Sequence, residues 1–350
     1  NLFNSEEDNF QMDATFNELS SSYVDLRALL PNVLGNALPS TLDKLGKFTI
    51  TGDSQVTSKT VIADIEIDTD LGLIFSDLEL NEIDDIDDAL YEGNIILDEF
   101  DVGTFLNDPK LGNVSLNLDV DGRGFTLEKL NTFVEGSVYG LNYNEYYYSD
   151  IQVSGNVQNK IFNGKLNTKD ENVDLDFNGL MDFTKAVNNY DFVADVRHAN
   201  LRALNFVTRD SISVFKGIVD MKMNGTNIDD AVGNVTFKNT HYKNQDDDYY
   251  FKDFAVSSKF ENDIRYIDIN SPEIIQGGLS GKFAINDVAK LIENSVGDIY
   301  TNYQPHDIEE GQFIDFNFKI YNKIAEVYCS GLLDDANHAT SKISQLILTE

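Results

Sequence analysis

Cysteine, tryptophan, proline and long apolar runs are scarce or missing in this sequence. Its 350 residues include one cysteine, Cys329, which excludes a framework of internal disulfides and leaves a periplasmic or a cytosolic location open. No stretch reaches the roughly 18 consecutive apolar residues that a membrane-spanning helix needs. The first residue is Asn1 rather than methionine, and no signal peptide or lipidation motif is visible. We therefore expect any membrane anchor to lie outside this sequence.

Basic residues are also few. Lysine and arginine together number 26, against 60 aspartates and glutamates, which gives a net charge of -34. Such a charge repels nucleic acid and anionic membrane surfaces, so that nucleic-acid binding is excluded. Most acidic residues occupy alternate strand positions or turns, for example residues 83–88 and 245–250. A solvated outer face explains this pattern better than a metal site does.

Catalytic signatures are missing as well. The four histidines, His198, His241, His306 and His338, stand isolated in the sequence, without an HExxH motif. No serine or cysteine motif of the nucleophile type is present. We therefore predict no catalytic residue, no metal site and no cofactor.

What the sequence has in abundance is alternation of apolar and polar residues. In residues 171–183 Val173, Leu175 and Phe177 fall on one side and aspartate or asparagine on the other, as in a half-buried strand. The same pattern recurs along the chain, and Gly, Asn and Asp clusters end most of its occurrences. Further strands are predicted at residues 47–52, 60–68, 94–100, 113–122, 150–157, 160–167, 190–198, 217–225, 233–239, 251–260, 264–270, 278–285 and 313–321.

Helical patterns are few and short. They are predicted at residues 24–38, 125–133, 199–207, 285–297 and 341–350. The apolar share of 41%, with 23 Phe and 16 Tyr, is enough for a large buried surface, so that the chain is predicted to be mainly β with a few short amphipathic helices. Open twisted sheets rarely exceed about ten strands. A chain with about twice that number must close, split or roll into a trough, and the alternation leaves these possibilities open.

A weak internal repeat indicates one elongated body. The segments DLRAL (25–29), DVGTF (101–105) and NLRAL (200–204) begin three similar stretches with a period of about 100 residues. Residues 146–157 also resemble residues 249–260. The predicted division of residues 1–350 has units at 23–98, 99–190 and 191–290, and a C-terminal part at 291–350 with a possible separate helical segment at 335–350.

Three longer phrases carry a resemblance to a known family. Residues 154–183, 199–206 and 309–327 resemble the TamB branch of the AsmA-like family, the translocation and assembly module subunit, in its Bacteroidota form. The likeness extends over roughly residues 23–327, and residues 328–350 depart from it. It implies a long curled antiparallel sheet that forms an elongated hydrophobic groove, the β-taco. It also implies a periplasmic protein of a Gram-negative envelope, anchored in the inner membrane.

The resemblance further implies a function and partners. Members of the family conduct phospholipid between the inner and outer membranes or assist outer-membrane protein assembly. They pair with an outer-membrane barrel of the Omp85 family, similar to TamA. If this holds, the apolar strand positions line a lipid groove, namely Val61, Ala63, Ile65, Ile67, Val114, Leu116, Leu118, Val120, Val173, Leu175, Phe177, Phe192, Ala194, Val196, Val219, Met221, Met223, Ile314, Phe316, Phe318 and Ile320.

The sequence is also compatible with two other interpretations. The same apolar positions form an ordinary filled core if the chain is a structural β-rich surface or adhesin-like protein. A carbohydrate-cleaving β-helix requires convergent carboxylates in a cleft, and with 60 acidic residues their spacing indicates little.

Overall fold

The chain is mainly β, as predicted, with long antiparallel strands and a few short helices. A computed structural model describes residues 2–3, 11–29, 40–182, 184, 187–297 and 304–321. The strands are β1 (Leu2–Phe3), β2 (Gln11–Ser22), β3 (Lys47–Thr57), β4 (Thr60–Thr69), β5 (Gly72–Asn81), β6 (Leu90–Asp101), β7 (Leu111–Arg123), β8 (Asn131–Tyr143), β9 (Tyr146–Gln158), β10 (Ile161–Lys169), β11 (Val173–Asp182), β12 (Asn188–Asn200), β13 (Ser213–Gly225), β14 (Val232–Asn244), β15 (Asp248–Glu261), β16 (Ile264–Ser271), β17 (Ile275–Lys282) and β18 (Phe313–Ile320). The helices are α1 (Tyr23–Leu29), α2 (Val102–Leu106), α3 (Val288–Gly297) and the 3-10 helices η1 (Ser40–Leu45), η2 (Ile83–Asp88) and η3 (Ile285–Asp287).

The chain divides into two compact units. Unit 1 comprises residues 1–184 and 197–209, and unit 2 comprises residues 185–196 and 210–350. The boundary therefore falls within strand β12. The division into repeats of about 100 residues stays a prediction.

In unit 1, strands β2 to β11 follow one another in chain order, each antiparallel to the next. Tight hairpins make this order possible. Asn144 and Glu145 join β8 to β9, and Asn159 and Lys160 join β9 to β10, all four with positive φ between 40° and 64°. Positive φ at both central residues gives a turn whose twist matches the twist of the flanking strands, and asparagine tolerates it well.

In unit 2, strands β13 to β18 also pair antiparallel in chain order. The hairpin between β15 and β16 again uses a polar pair with positive φ, Asn262 and Asp263. Helix α3, with η3 before it, lies between β17 and β18 in the sequence and packs on the apolar side of these strands through Leu291. The predicted helix at 285–297 is therefore confirmed.

Two other predicted helices are wrong. Residues 125–130 form a single hydrogen-bonded turn, in which Leu130 N donates to Thr126 O at 2.9 Å, and strand β8 begins at Asn131. Strand β12 runs to Asn200 and the residues that follow form turns. In both places the helical spacing covers only one or two turns. So short a helix gains too little to offset the cost of its nucleation, and the neighbouring residues pair in a strand instead.

The remaining helix predictions are settled only in part. Helix α1 occupies the start of the predicted segment 24–38, and residues 30–38 lie outside the described residues. The predicted terminal helix at 341–350, and the possible helical segment at 335–350, also lie outside them.

One glycine shows how closely neighbouring strands approach. Gly93 on β6 has φ +145°, and a Cβ added there would lie 2.0 Å from the backbone oxygen of Asp77 on β5. We expect Gly93→Ala to lower the free energy of unfolding by about 2–4 kcal/mol, because it adds a steric clash to an unfavourable φ. Urea unfolding followed by circular dichroism measures the change.

The matched control is Gly46→Ala at the end of η1. Gly46 also has a positive φ, +70°, but an added Cβ meets nothing within 4 Å. In this variant only the unfavourable backbone conformation should lower the free energy of unfolding, by about 1–2 kcal/mol. Equal losses in the two variants would show that the approach of β5 to β6 is not what requires glycine at position 93.

Candidate functional site

The strand registers place the apolar positions of β3 to β11 on one side of unit 1, here called the apolar face. One row of directly paired residues crosses this face at mid-strand and is called the central row. It consists of Gly52, Ile65, Ser76, Ile95, Leu118, Gly136, Val153, Leu166 and Phe177. Nine adjacent strands thus contribute one small or apolar residue each.

Burial separates the central row from the strand ends. Eight of its nine residues are half-buried, and only Phe177, at 8% exposure, is buried. Towards the strand ends, residues of the same face are more deeply buried, for example Val61 and Ile67 on either side of Ile65 in β4. The face is therefore covered at its ends and partly accessible along its middle.

A first apolar cluster covers one end of the face. It is built around Ile83 and Ile86 of η2, and it includes strand residues from β3 to β8. Tyr91 on β6 belongs to it, donates from its hydroxyl to Gly124 O at 3.3 Å and packs against Phe125 with ring centroids 4.9 Å apart. Burial raises the pKa of the Tyr91 hydroxyl, which therefore stays neutral within this cluster.

A second cluster covers the opposite end. Leu26 of α1 and Leu45 of η1 are only 4% and 3% exposed and pack with Phe48, Ile67 and other strand residues. Helix α2 adds Phe105, whose ring meets Phe100 edge-on at 5.5 Å. This short helix is fixed by its N-cap, because the carboxylate of Asp101 accepts a hydrogen bond from Thr104 N at 2.8 Å.

Beside the second cluster, three tyrosines lie close together near the hairpin of β8 and β9. The Tyr148 ring packs against those of Tyr143 and Tyr146, with centroids 6.4 Å and 4.8 Å away. Burial raises the pKa of Tyr148 to about 12. Its hydroxyl has no hydrogen-bond partner among the described residues. These rings form an aromatic surface at this hairpin, and the Tyr146 hydroxyl donates a hydrogen bond to the carboxylate of the buried Asp170.

Unit 2 carries its own apolar face. Its mid-strand row is Met221, Val235, Val256, Ile269, Gly277 and Phe318. Helix α3 covers part of it through a cluster of Ile267, Leu279, Phe283 and Leu291. At the edge of this cluster Arg265 is 3% exposed, and its guanidinium donates to backbone oxygens of Ile228, Asp229 and Ala231.

The predicted lining residues lie on β4, β7, β11, β12, β13 and β18. Those on β4, β7 and β11 lie on the apolar face of unit 1, and those on β13 and β18 lie on the face of unit 2. The buried ones are Val61, Ile67, Val114, Val120, Val173, Phe177, Ala194 and Val196. The half-buried ones are Ala63, Ile65, Leu116, Leu118, Leu175, Phe192, Val219, Met221, Met223, Ile314, Phe316 and Phe318, and Ile320 is exposed at 45%.

The sequence did not identify the contributions of β3, β5, β6, β8, β9 and β10 to the central row. Ser76 and Gly136 interrupt the apolar alternation of their strands, and Leu73, Ile74 and Phe75 form a continuous apolar run that hides the register of β5. Strand β6 carries a signal that could have been used, since Ile95 and Leu97 alternate within a predicted strand.

The other face of the same strands is acidic. Five carboxylates, here called the acidic row, occupy one line of directly paired positions that Asn94 alone interrupts: Asp53, Asp64, Asp77, Asp119 and Glu135. All five are exposed. Like charges directly opposite each other destabilise a sheet, so that this row costs stability that the apolar face offsets.

Among the described residues, no cluster of three or more His, Cys, Asp or Glu side chains has the arrangement of a metal site. His241 and His306 each pair with a carboxylate, those of Asp248 and Glu293. Within the same residues, no helix has both the length and the apolar character needed to cross a bilayer.

Comparison of the chain with protein-family models, with curated proteins and with solved structures gives no match. The candidate site therefore rests on its own geometry, the central row of unit 1 and its counterpart in unit 2.

Proposed function

We propose that this chain is a non-enzymatic lipid-carrying protein of TamB type, whose apolar face forms a groove for the acyl chains of phospholipids. The central row carries this proposal. It extends across nine strands without a charged residue, and eight of its members are half-buried rather than covered.

The energetic reason is the cost of exposing lipid tails to water. Each methylene costs about 0.8 kcal/mol, so that a phospholipid with roughly thirty methylenes pays on the order of 25 kcal/mol to leave a membrane unaided. An uncharged apolar surface that covers the tails removes most of that barrier. No bond is made or broken, which is consistent with a site that holds no convergent catalytic groups.

The dimensions of the row fit this role. Adjacent strands lie about 4.8 Å apart, so that nine of them carry the row over about 38 Å along the face. The hydrocarbon of one membrane leaflet is about 15 Å deep, half of a typical bilayer core. The row is thus more than long enough for one acyl chain, and several lipids in sequence could occupy it.

The location and the partners belong to the same proposal. A carrier of this kind acts in the periplasm, between the inner and the outer membrane, and is tied to the inner membrane by an anchor outside this sequence. Its outer-membrane partner is an Omp85-family barrel similar to TamA, which would also allow the protein to assist outer-membrane protein assembly. An unpaired edge of a sheet suits pairing with a strand of such a barrel.

The test is direct observation of bound lipid. The purified protein is incubated with phospholipid vesicles, separated from them and analysed by native mass spectrometry. We expect masses that exceed that of the 39.3 kDa chain by one or more phospholipids. A chain that stays free of lipid at every vesicle concentration would disprove the proposal.

A structural β-rich protein with a filled core is the second candidate. The two end clusters of unit 1 favour it, because there the apolar residues pack on polypeptide rather than on a ligand. The same experiment separates the two functions, since a filled core binds no lipid.

A further inference from the structure

We propose that the apolar face of unit 1 selects zwitterionic phospholipids, such as phosphatidylethanolamine, over anionic ones, such as phosphatidylglycerol. This inference rests on the proposed lipid-carrying function and names the class of lipid at the same site. It is carried by the distribution of charge on the two faces of strands β3 to β11.

The first observation is that the middle of the apolar face holds no charged group. Besides the central row, the row on either side of it consists of Gly, Ala, Ser, Thr and aliphatic residues only. These rows are Ser54, Ala63, Leu78, Gly93, Val120, Val134, Gly155, Gly164 and Gly179, and Ile50, Ile67, Ile74, Leu97, Leu116, Val138, Ile151, Thr168 and Leu175. A lipid phosphate therefore meets no cationic side chain in these three rows.

The second observation concerns the basic residues of the same strands. Lys47, Arg123, Lys165 and Lys169 each directly neighbour a residue of the apolar face and so lie on the opposite, acidic face. Arg123 is also held in an ion pair with Asp88, at 3.1 Å. The cations of these strands are thus placed away from a bound lipid.

The third observation is the acidic row. Its carboxylates lie on the same strands as the central row, one sheet thickness away, which is within the Debye length of about 10 Å at 0.1 M salt. The carboxylates therefore create a negative potential at the apolar face, and an anionic headgroup brings one more negative charge into this potential. A zwitterionic headgroup brings its own ammonium, which neutralises its phosphate and is attracted by the carboxylates.

The experiment offers both lipids in competition. Vesicles contain equal amounts of phosphatidylethanolamine and phosphatidylglycerol with identical acyl chains, and the lipid bound to the recovered protein is quantified by mass spectrometry. At low salt we expect about tenfold more bound phosphatidylethanolamine than phosphatidylglycerol. The reason is that a negative potential of a few kT disfavours the lipid with one extra negative charge by about this factor. At about 0.5 M salt screening should reduce the ratio to about twofold.

A charge variant tests the cause. Asp64→Asn, Asp77→Asn, Asp119→Asn and Glu135→Gln are combined, which neutralises four exposed carboxylates and relieves the repulsion between Asp64 and Asp77. We expect the low-salt ratio to fall to about threefold, since most of the net charge remains. The matched control exchanges aspartate and glutamate at the same four positions, keeps every charge and should keep the full ratio.

The outcomes separate this inference from the function on which it rests. Equal binding of the two lipids at low salt, or a preference for the anionic one, would overturn the selectivity and leave lipid carriage standing. Failure to bind either lipid would overturn both. An unchanged ratio in the charge variant would show that the acidic row is not the source of selectivity.

Discussion

The variant Ile65→Asn is expected to bind about tenfold less phospholipid than the unchanged protein. Ile65 lies in the central row, half-buried between Gly52 and Ser76 of the neighbouring strands. An amide placed there meets the acyl chain without a hydrogen-bond partner, which costs about 1–3 kcal/mol. A loss of 1.4 kcal/mol corresponds to about tenfold in affinity. Titration with vesicles and native mass spectrometry measures the change.

The matched control is Ile62→Asn on the same strand. Ile62 has the same side chain, but it is 41% exposed and its register partners, Gln55 and Glu79, lie on the acidic face. Binding should be unchanged in this variant. Thermal unfolding of both proteins shows whether either substitution disturbs the fold. Equal lipid binding by the two folded variants would show that the central row does not contact the acyl chains.

The variant Arg265→Met is expected to lower the free energy of unfolding of unit 2 by about 3 kcal/mol or more. Arg265 donates to Ile228 O at 2.9 Å, to Asp229 O at 3.0 Å and to Ala231 O at 3.3 Å, and it also reaches the Ser258 hydroxyl. Methionine fills the space but leaves Ile228 O and Asp229 O without this donor, while Ala231 O keeps the hydrogen bond from the Ser258 hydroxyl at 2.7 Å.

The same arginine holds a loop that positions α3. Residues 226–231 join β13 to β14, and the Asp229 carboxylate in this loop accepts a hydrogen bond from Ile285 N at 2.6 Å, just before α3. Loss of Arg265 should therefore loosen the start of α3 as well. Hydrogen exchange followed by mass spectrometry should show faster exchange at residues 285–297.

Lys222→Met is the control for this prediction. Lys222 is exposed and its ion pair with Asp191, at 2.8 Å, is a surface pair, which contributes about 0–1 kcal/mol. Its removal should leave the unfolding transition nearly unchanged. If Arg265→Met lowered the free energy of unfolding as little as Lys222→Met, the hydrogen bonds of the arginine would not be what stabilises this loop.

The sequence predicted the class of fold because alternation is a direct consequence of strand geometry. The alternation of Val173, Leu175 and Phe177 is visible without any structure, and these residues lie on β11 as expected. The pairs of turn residues with positive φ are likewise readable, for example Asn262 and Asp263 between two alternating segments.

Other elements could not be predicted from local pattern. Residues 125–133 have helical spacing, but pairing of β8 with both β7 and β9 outweighs this weak local preference. Ser76 and Gly136 belong to the central row only through their cross-strand partners, Ile95 and Leu118. Membership of a row depends on register, and register is a property of pairs of strands rather than of one segment.

Strand order in unit 1 has a consequence for how such a chain is made. Because β2 to β11 pair each with its immediate successor, the contacts are local in sequence and each new hairpin can dock on the one already formed. The chain can therefore fold progressively during its synthesis, N-terminal strands first. Insertion or deletion of a whole hairpin changes the reach of the row by about 10 Å, two strand spacings, and leaves every other register intact. A gain or loss of hairpins therefore changes the length of the apolar face in steps, without a change in the pairing of the strands that remain.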